Sequence, residues 1–113
     1  MLNQIVMVGR ITRNVELKEL EGGKKVADIT LAIQRSYKNA EGVYETDFIP
    51  VELSGAIAEN TSEYCKKGDI VGVKGRIASE TEEGQDGNIT QRIKVVAEKV
   101  TFLSSKRNDD VEE

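Results

Sequence analysis

Around Ser54 the apolar pattern of this chain changes period, and few folds accommodate the change. In "TDFIPVEL" (46–53), Ile49, Val51 and Leu53 fall on one face of a strand, while Phe48, Pro50, Glu52 and Ser54 fall on the other. From Gly55 the spacing is helical. In "GAIAENTSEYCKKG", Ile57, Thr61, Tyr64 and Cys65 stand at i, i+4, i+7 and i+8, one helix face. Lys66, Lys67 and Gly68 read as its end, cations at the negative pole followed by a terminating glycine. Elsewhere the chain reads as short strands. "NQIVMVGRIT" (3–12) is rich in β-formers, and "VELKEL" either continues it past a kink at Gly9 or forms a short partner. "KVADITLAIQR" (25–35) carries Ile29, Leu31 and Ile33 at period two, and "SYKNAEGVYE" reads as the hairpin loop that follows. "DIVGVKGRIA" (69–78) is the fourth strand, "EEGQDGN" a turn and "ITQRIKVVAEKVTFL" (89–103) the fifth strand. Tyr64 and Phe102 are expected in the core.

Three strands, a helix and two strands is the element order of the five-stranded OB Greek-key barrel. That fold binds oligonucleotides on the face of strands two and three and through its loops. The predicted class is therefore all-β with one helix between strands three and four. At 113 residues the chain has room for one domain, expected over 1–104, with 105–113 a short acidic disordered tail. One face of the first strand carries Ile5, Met7 and Ile11, and the other carries Val6 and Val8. A barrel interior covers only one of these faces, so a second subunit is expected on Val6 and Val8.

Composition narrows the function further. There is no His and only one Cys, which removes the usual general base and any multi-cysteine zinc site. The acid pairs Glu82-Glu83 and Asp109-Asp110 read as solvated surface, so no enzyme, cofactor or metal is expected. No stretch approaches a membrane span or an export signal, and a cytoplasmic protein is expected. The net charge is −4, and the four acids of "NDDVEE" account for the excess. Any anionic ligand must be held by local patterning, because bulk charge gives it no help.

The aromatic residues supply that pattern. The chain has three Tyr, two Phe and no Trp, yet Tyr37, Tyr44 and Phe48 cluster around one hairpin. Alternation turns Phe48 away from the core, where a ring offers a stacking platform to any base. Beyond Gln34 alternation no longer assigns Tyr37 a face. Its neighbours Arg35 and Lys38 suit a passing phosphate backbone, and Tyr44, Arg13 and Arg76 complete the candidate set.

The runs "MLNQIVMVGRITRNVELKELEGGKKVADITLAIQRSY", "DFIPVELSGAIAENTSEYCKKGDIVGVKGRI" and "VVAEKVTFL" resemble the bacterial single-stranded DNA-binding protein family over nearly all of 1–104. The resemblance implies an OB-fold homotetramer that coats single strands without sequence preference, stacking bases on aromatics and contacting phosphates with Lys and Arg. It also implies roles in replication, recombination and repair. Tyr37 and Phe48 stand where the family places stacking aromatics. Ser54 stands where members often have another. Glu80, Glu82 and Glu83 fill a loop that often holds a basic residue and an aromatic. The tail keeps the family's acid but lacks its Pro-Phe ending, which docks replication and repair proteins.

Overall fold

The structure, a computed structural model, describes residues 1–104; the expected acidic tail, 105–113, lies outside the described residues. In chain order the elements are β1 (Ile5–Ile11), β2 (Lys18–Glu19), β3 (Lys25–Lys38), β4 (Tyr44–Ser54), α1 (Gly55–Tyr64), β5 (Ile70–Glu83) and β6 (Ile89–Ser104). The sheet runs β1-β5-β6-β4-β3-β2, and β1 pairs again with β3 through Arg10↔Ala32 and Ile11↔Leu31. That second pairing closes a five-stranded OB barrel, with β2 a two-residue partner on the edge of β3. "VELKEL" thus forms the short partner. The contact between β4 and β6 is parallel, at Val51↔Val95, as expected where a helix crosses between strands.

Period-two alternation builds the interior. Ile29, Leu31, Val51, Leu53, Val71 and Val73 are each 1% exposed or less, and Ile11, Ala58 and Cys65 join them. Two glycines permit the closure. β1 passes from β5 to β3 at Arg10, which pairs with both Ile70 and Ala32; at Gly9, just before it, a Cβ would lie 2.8 Å from Ile33 Cγ1 and 3.0 Å from the Ala32 carbonyl oxygen. Gly75 lies at a bulge, with Glu98 left over on β6 between Gly75↔Ala97 and Lys74↔Lys99. A Cβ there would run into the Val96 carbonyl. Only residues without a side chain let the backbones approach this closely.

Three details differ from the sequence reading. The helix stops at Tyr64, and Cys65 is already extended while its N–H donates to the Thr61 carbonyl. Lys66 and Lys67 therefore belong to the following turn, where their amides donate to Asp69 and Asn14 side chains. Tyr64 and Phe102 are not core: they are 63% and 47% exposed. Their rings meet at 6.0 Å with a 50° tilt on the outside of the barrel, because both sit past the last buried residues of their elements. Finally, β3, β5 and β6 are longer than expected. They carry β3–β4 and β5–β6 beyond the barrel as two-stranded ribbons, and the molecule extends 54 × 41 × 32 Å.

Candidate nucleic-acid interface

The β3–β4 ribbon carries five of the seven candidate binding residues, three of them on its outer face. Cross-strand pairs share a face, and here the pairs are Ala32↔Phe48, Gln34↔Thr46 and Lys38↔Tyr44. Phe48 is 63% exposed, as alternation required, since Ile49 and Val51 turn inward. Lys38 lies over the Tyr44 ring, its Nζ 5.6 Å from the centroid, close enough for a cation–π contact. The ribbon thus presents Lys38, Tyr44 and Phe48 in a row leading back to the barrel.

Between Gln34↔Thr46 and Lys38↔Tyr44 the register shifts. Arg35, Ser36 and Tyr37 face the single residue Glu45 across the ribbon. This bulge explains why alternation could not place Tyr37, since extra residues re-aim side chains. Tyr37 stands exposed in the bulge.

Arg35 behaves otherwise than its sequence neighbourhood suggested. It keeps the inward parity of Leu31 and Ile33, as Asp47 does opposite Ile33, so its guanidinium lies on the face away from Phe48. Its Nε donates to Asp47 Oδ1 and Oδ2 at 3.2 and 3.1 Å, and Nη2 to Asp47 Oδ1 at 2.8 Å. Nη1 donates to Glu45 Oε2 at 2.7 Å. The hydrogen bond from Arg35 holds the Asp47 carboxyl below the ordinary carboxylate range despite some desolvation. The same bond raises the guanidinium pKa still further. Arg35 thus commits three of its five N–H groups to two carboxylates, whose charge opposes a phosphate beside it.

A groove of about 420 Å³ continues from the ribbon across the barrel wall, lined among others by Arg13, Pro50, Glu52, Glu80, Arg92 and Lys94. Lys94 spans it, with Nζ 2.8 Å from Glu52 and 3.4 Å from Glu80. Its pKa is raised, chiefly by the hydrogen bond to Glu52. Arg92 approaches Glu82 at 3.6 Å. Glu80, Glu82 and Glu83 are consequently strand residues, registered with Arg92, Thr90 and Ile89, where the sequence suggested a bare acidic loop. Two of the three meet a cation. Arg92 and Lys94 escaped the sequence reading; their period-two spacing on the strand facing residues 78 and 80 was the available signal. Arg76, opposite Val96, lies on the outward face that also carries Lys94. Arg13 and Arg76 have no carboxylate partner among the described residues.

On the opposite wall, Val6 is 69% exposed and Val8 54%, as the two-faced pattern of β1 required. Leu103 lies beside them, its Cδ1 near Gly72 and Val8 Cγ2 close by. Ser54, the vacant aromatic position, leads directly into α1.

A closed five-stranded barrel with a helix before its fourth long strand, carrying exposed aromatics on a strand-two/strand-three ribbon, defines an OB-fold domain with an oligonucleotide-type face. The Single-strand binding protein family model matches residues 2–103, and the chain belongs to that family. Single-stranded DNA-binding protein B of Bacillus subtilis is 42% identical over 106 residues, 94% of each chain. Single-stranded DNA-binding protein 3 of Listeria innocua is 43% identical over 108 residues, 96% of this chain and 68% of that one. Among solved structures, the single-stranded DNA binding protein from Thermus aquaticus superposes with a TM-score of 0.78 at 25% identity, covering 93% of this chain and 52% of that one. A Plasmodium falciparum SSB complex with ssDNA shares the fold, with a TM-score of 0.76 at 22% identity, covering 92% of this chain and 97% of that one.

Proposed function

We propose that this protein binds single-stranded DNA without sequence preference and protects it during replication, recombination and repair. The observation that carries the reading is the row Lys38, Tyr44 and Phe48 on one face of the β3–β4 ribbon, with Tyr37 beside it in the bulge. Rings accept the π-face of any base, which gives affinity without sequence readout. Lys38, Arg13 and Arg76 supply phosphate contacts along the strand's path, and Arg92 and Lys94 line its groove. In this reading the domain is a binding module; separately, no cluster of His, Cys, Asp or Glu suited to a metal occurs among the described residues. No helix among them is long and apolar enough to cross a membrane; the reading places the protein in the cytoplasm with the nucleoid.

Titration with oligo-dT at two salt concentrations tests this. Binding that weakens with salt supports it, and the absence of binding at low salt refutes it. One observation favours a second reading, an OB-fold adaptor with a weakened DNA site: Lys94 is occupied by Glu52 and Glu80. Salt-insensitive, feeble oligo-dT binding would select the adaptor.

The assembly proposed for the domain is a homotetramer built through the Val6, Val8 wall. An exposed apolar β face of this kind is covered when a second copy packs on it. Replacing Val6 and Val8 with Asp should lower the assembly state while leaving the far-ultraviolet dichroism unchanged. Light scattering that reports a monomer for the unmodified chain would refute the assembly.

A further inference from the structure

We propose that Arg35 is a positioning residue, a clamp that holds the bulge closed and thereby presents Tyr37; it makes no phosphate contact itself. The proposal rests on the DNA-binding reading above and reassigns the role of one residue within it.

A bulge interrupts the backbone ladder and leaves its residues unpaired. Here three residues on β3 oppose only Glu45 on β4, between the pairs Gln34↔Thr46 and Lys38↔Tyr44. Side chains brace the gap. The Arg35 guanidinium forks to Asp47 on the barrel side of the bulge and to Glu45 within it. Glu45 in turn accepts from Asn39 Nδ2 at 3.1 Å. Asn39 Oδ1 accepts the amides of Glu41 and Val43 at 2.9 and 3.0 Å, which shapes the turn. One chain of hydrogen bonds, charge-assisted as far as Asn39, therefore runs from the barrel rim to the ribbon tip through Arg35. A planar fork suits this task better than an ammonium, because it can engage two carboxylates in fixed directions.

Position supports the same role. Arg35 and Asp47 share the inward side of the ribbon, whereas Phe48, Tyr44 and Lys38 share the outward side. A strand stacked on the outward row passes the back of the clamp. The carboxylates on the inward side would also repel a phosphate that approached Arg35.

The test compares wild type, Arg35→Ala and Arg35→Lys in the 113-residue chain by two readouts. Amide hydrogen exchange without DNA follows residues 36–45, and oligo-dT affinity is measured across a salt series. Both variants should exchange faster in that segment. Both should bind roughly tenfold more weakly, equal to about 1.4 kcal/mol of lost stacking, with the salt slope unchanged. Arg35→Lys should lie nearer to Arg35→Ala than to wild type. Wild-type affinity in Arg35→Lys, with a slope shallower by ~0.7 in Arg35→Ala, would mean a direct phosphate contact and overturn the proposal. Unchanged exchange in both variants would overturn it as well. If wild type binds no oligo-dT, the functional reading fails instead, and the exchange readout still decides whether Arg35 clamps the ribbon.

Discussion

Two ribbons leave the same barrel and are built to opposite rules. The β5–β6 ribbon keeps an unbroken register from Gly75↔Ala97 out to Glu83↔Ile89. Its charges face one another, Glu82 toward Arg92 and Glu80 toward Lys94. The β3–β4 ribbon breaks register within four residues of Gln34 and carries three aromatics on or beside the break. The first ribbon directs its hydrogen bonds and much of its charge at itself. The second leaves Lys38 without a carboxylate partner among the described residues and releases Tyr37 from alternation. A regular ribbon makes a stiff wall; a bulged one, braced from behind by Arg35, makes a presenting surface.

The largest expected effect concerns the root of the stiff ribbon. Gly75→Ala sets a methyl against the Val96 carbonyl and should cost about 3 kcal/mol of stability. Gly42→Ala, in the turn of the other ribbon at φ +79° with open space around it, should cost only about 1 kcal/mol, the left-handed backbone penalty alone. Thermal melts check the ranking. If Gly42→Ala proves the more damaging, the bulged ribbon is the stiffer of the two.

Ring removal comes next. Phe48→Ala should lose about 1–3 kcal/mol of oligo-dT affinity with little change in melting temperature, because the ring lies outside the core. Ile89→Ala, at an exposed apolar residue near the tip of the β5–β6 ribbon and outside the groove, should change affinity by less than about 0.5 kcal/mol. Equal losses from the two would dissolve the division of labour between the ribbons.

Charge effects are smaller and read best as salt slopes. Lys38→Ala should flatten the slope by ~0.7, one phosphate contact to a single strand. Glu52→Gln together with Glu82→Gln should do the reverse, strengthening binding and steepening the slope as Lys94 loses its nearer carboxylate and Arg92 its partner. A double variant with an unaltered slope would show that these cations stay off the strand's path.

The smallest effect depends on pH. Asp47 has its folded pKa depressed by Arg35, so its contribution is fully present above the unfolded value of about 3.9. That contribution fades as pH falls through the folded pKa. The extra amide protection that wild type holds over Asp47→Asn in residues 36–45 should therefore shrink below about pH 4. A gap that persists at lower pH would place the brace elsewhere.

Much of this architecture was legible in the residue order. Alternation in β3, β4 and β5 named the interior, and the switch at Ser54 located the helix. Phe48 and the Val6, Val8 face were correctly turned outward because nothing interrupts the period on either side of them. The errors have identifiable causes. Tyr64 and Phe102 lie on the apolar face of their helix and strand, but a face fixes only a direction, and both lie past the last buried residues of their elements. Glu80 to Glu83 looked like a repelling loop because their partners, Arg92 and Lys94, come after the turn.

The local sequence therefore determined the barrel, its helix and the exposed ring of Phe48, since each follows from periodicity within a few residues. Tertiary structure alone decided which cations are free. Whether Arg35 or Lys38 meets a phosphate depends on carboxylates that reach it across a ribbon, at Asp47 and Glu45 for one and at none of the described residues for the other. Charges interact through space over a few ångströms, and it is the pairing of two strands, Ile33 opposite Asp47 and Gln34 opposite Thr46, that brings those carboxylates to Arg35.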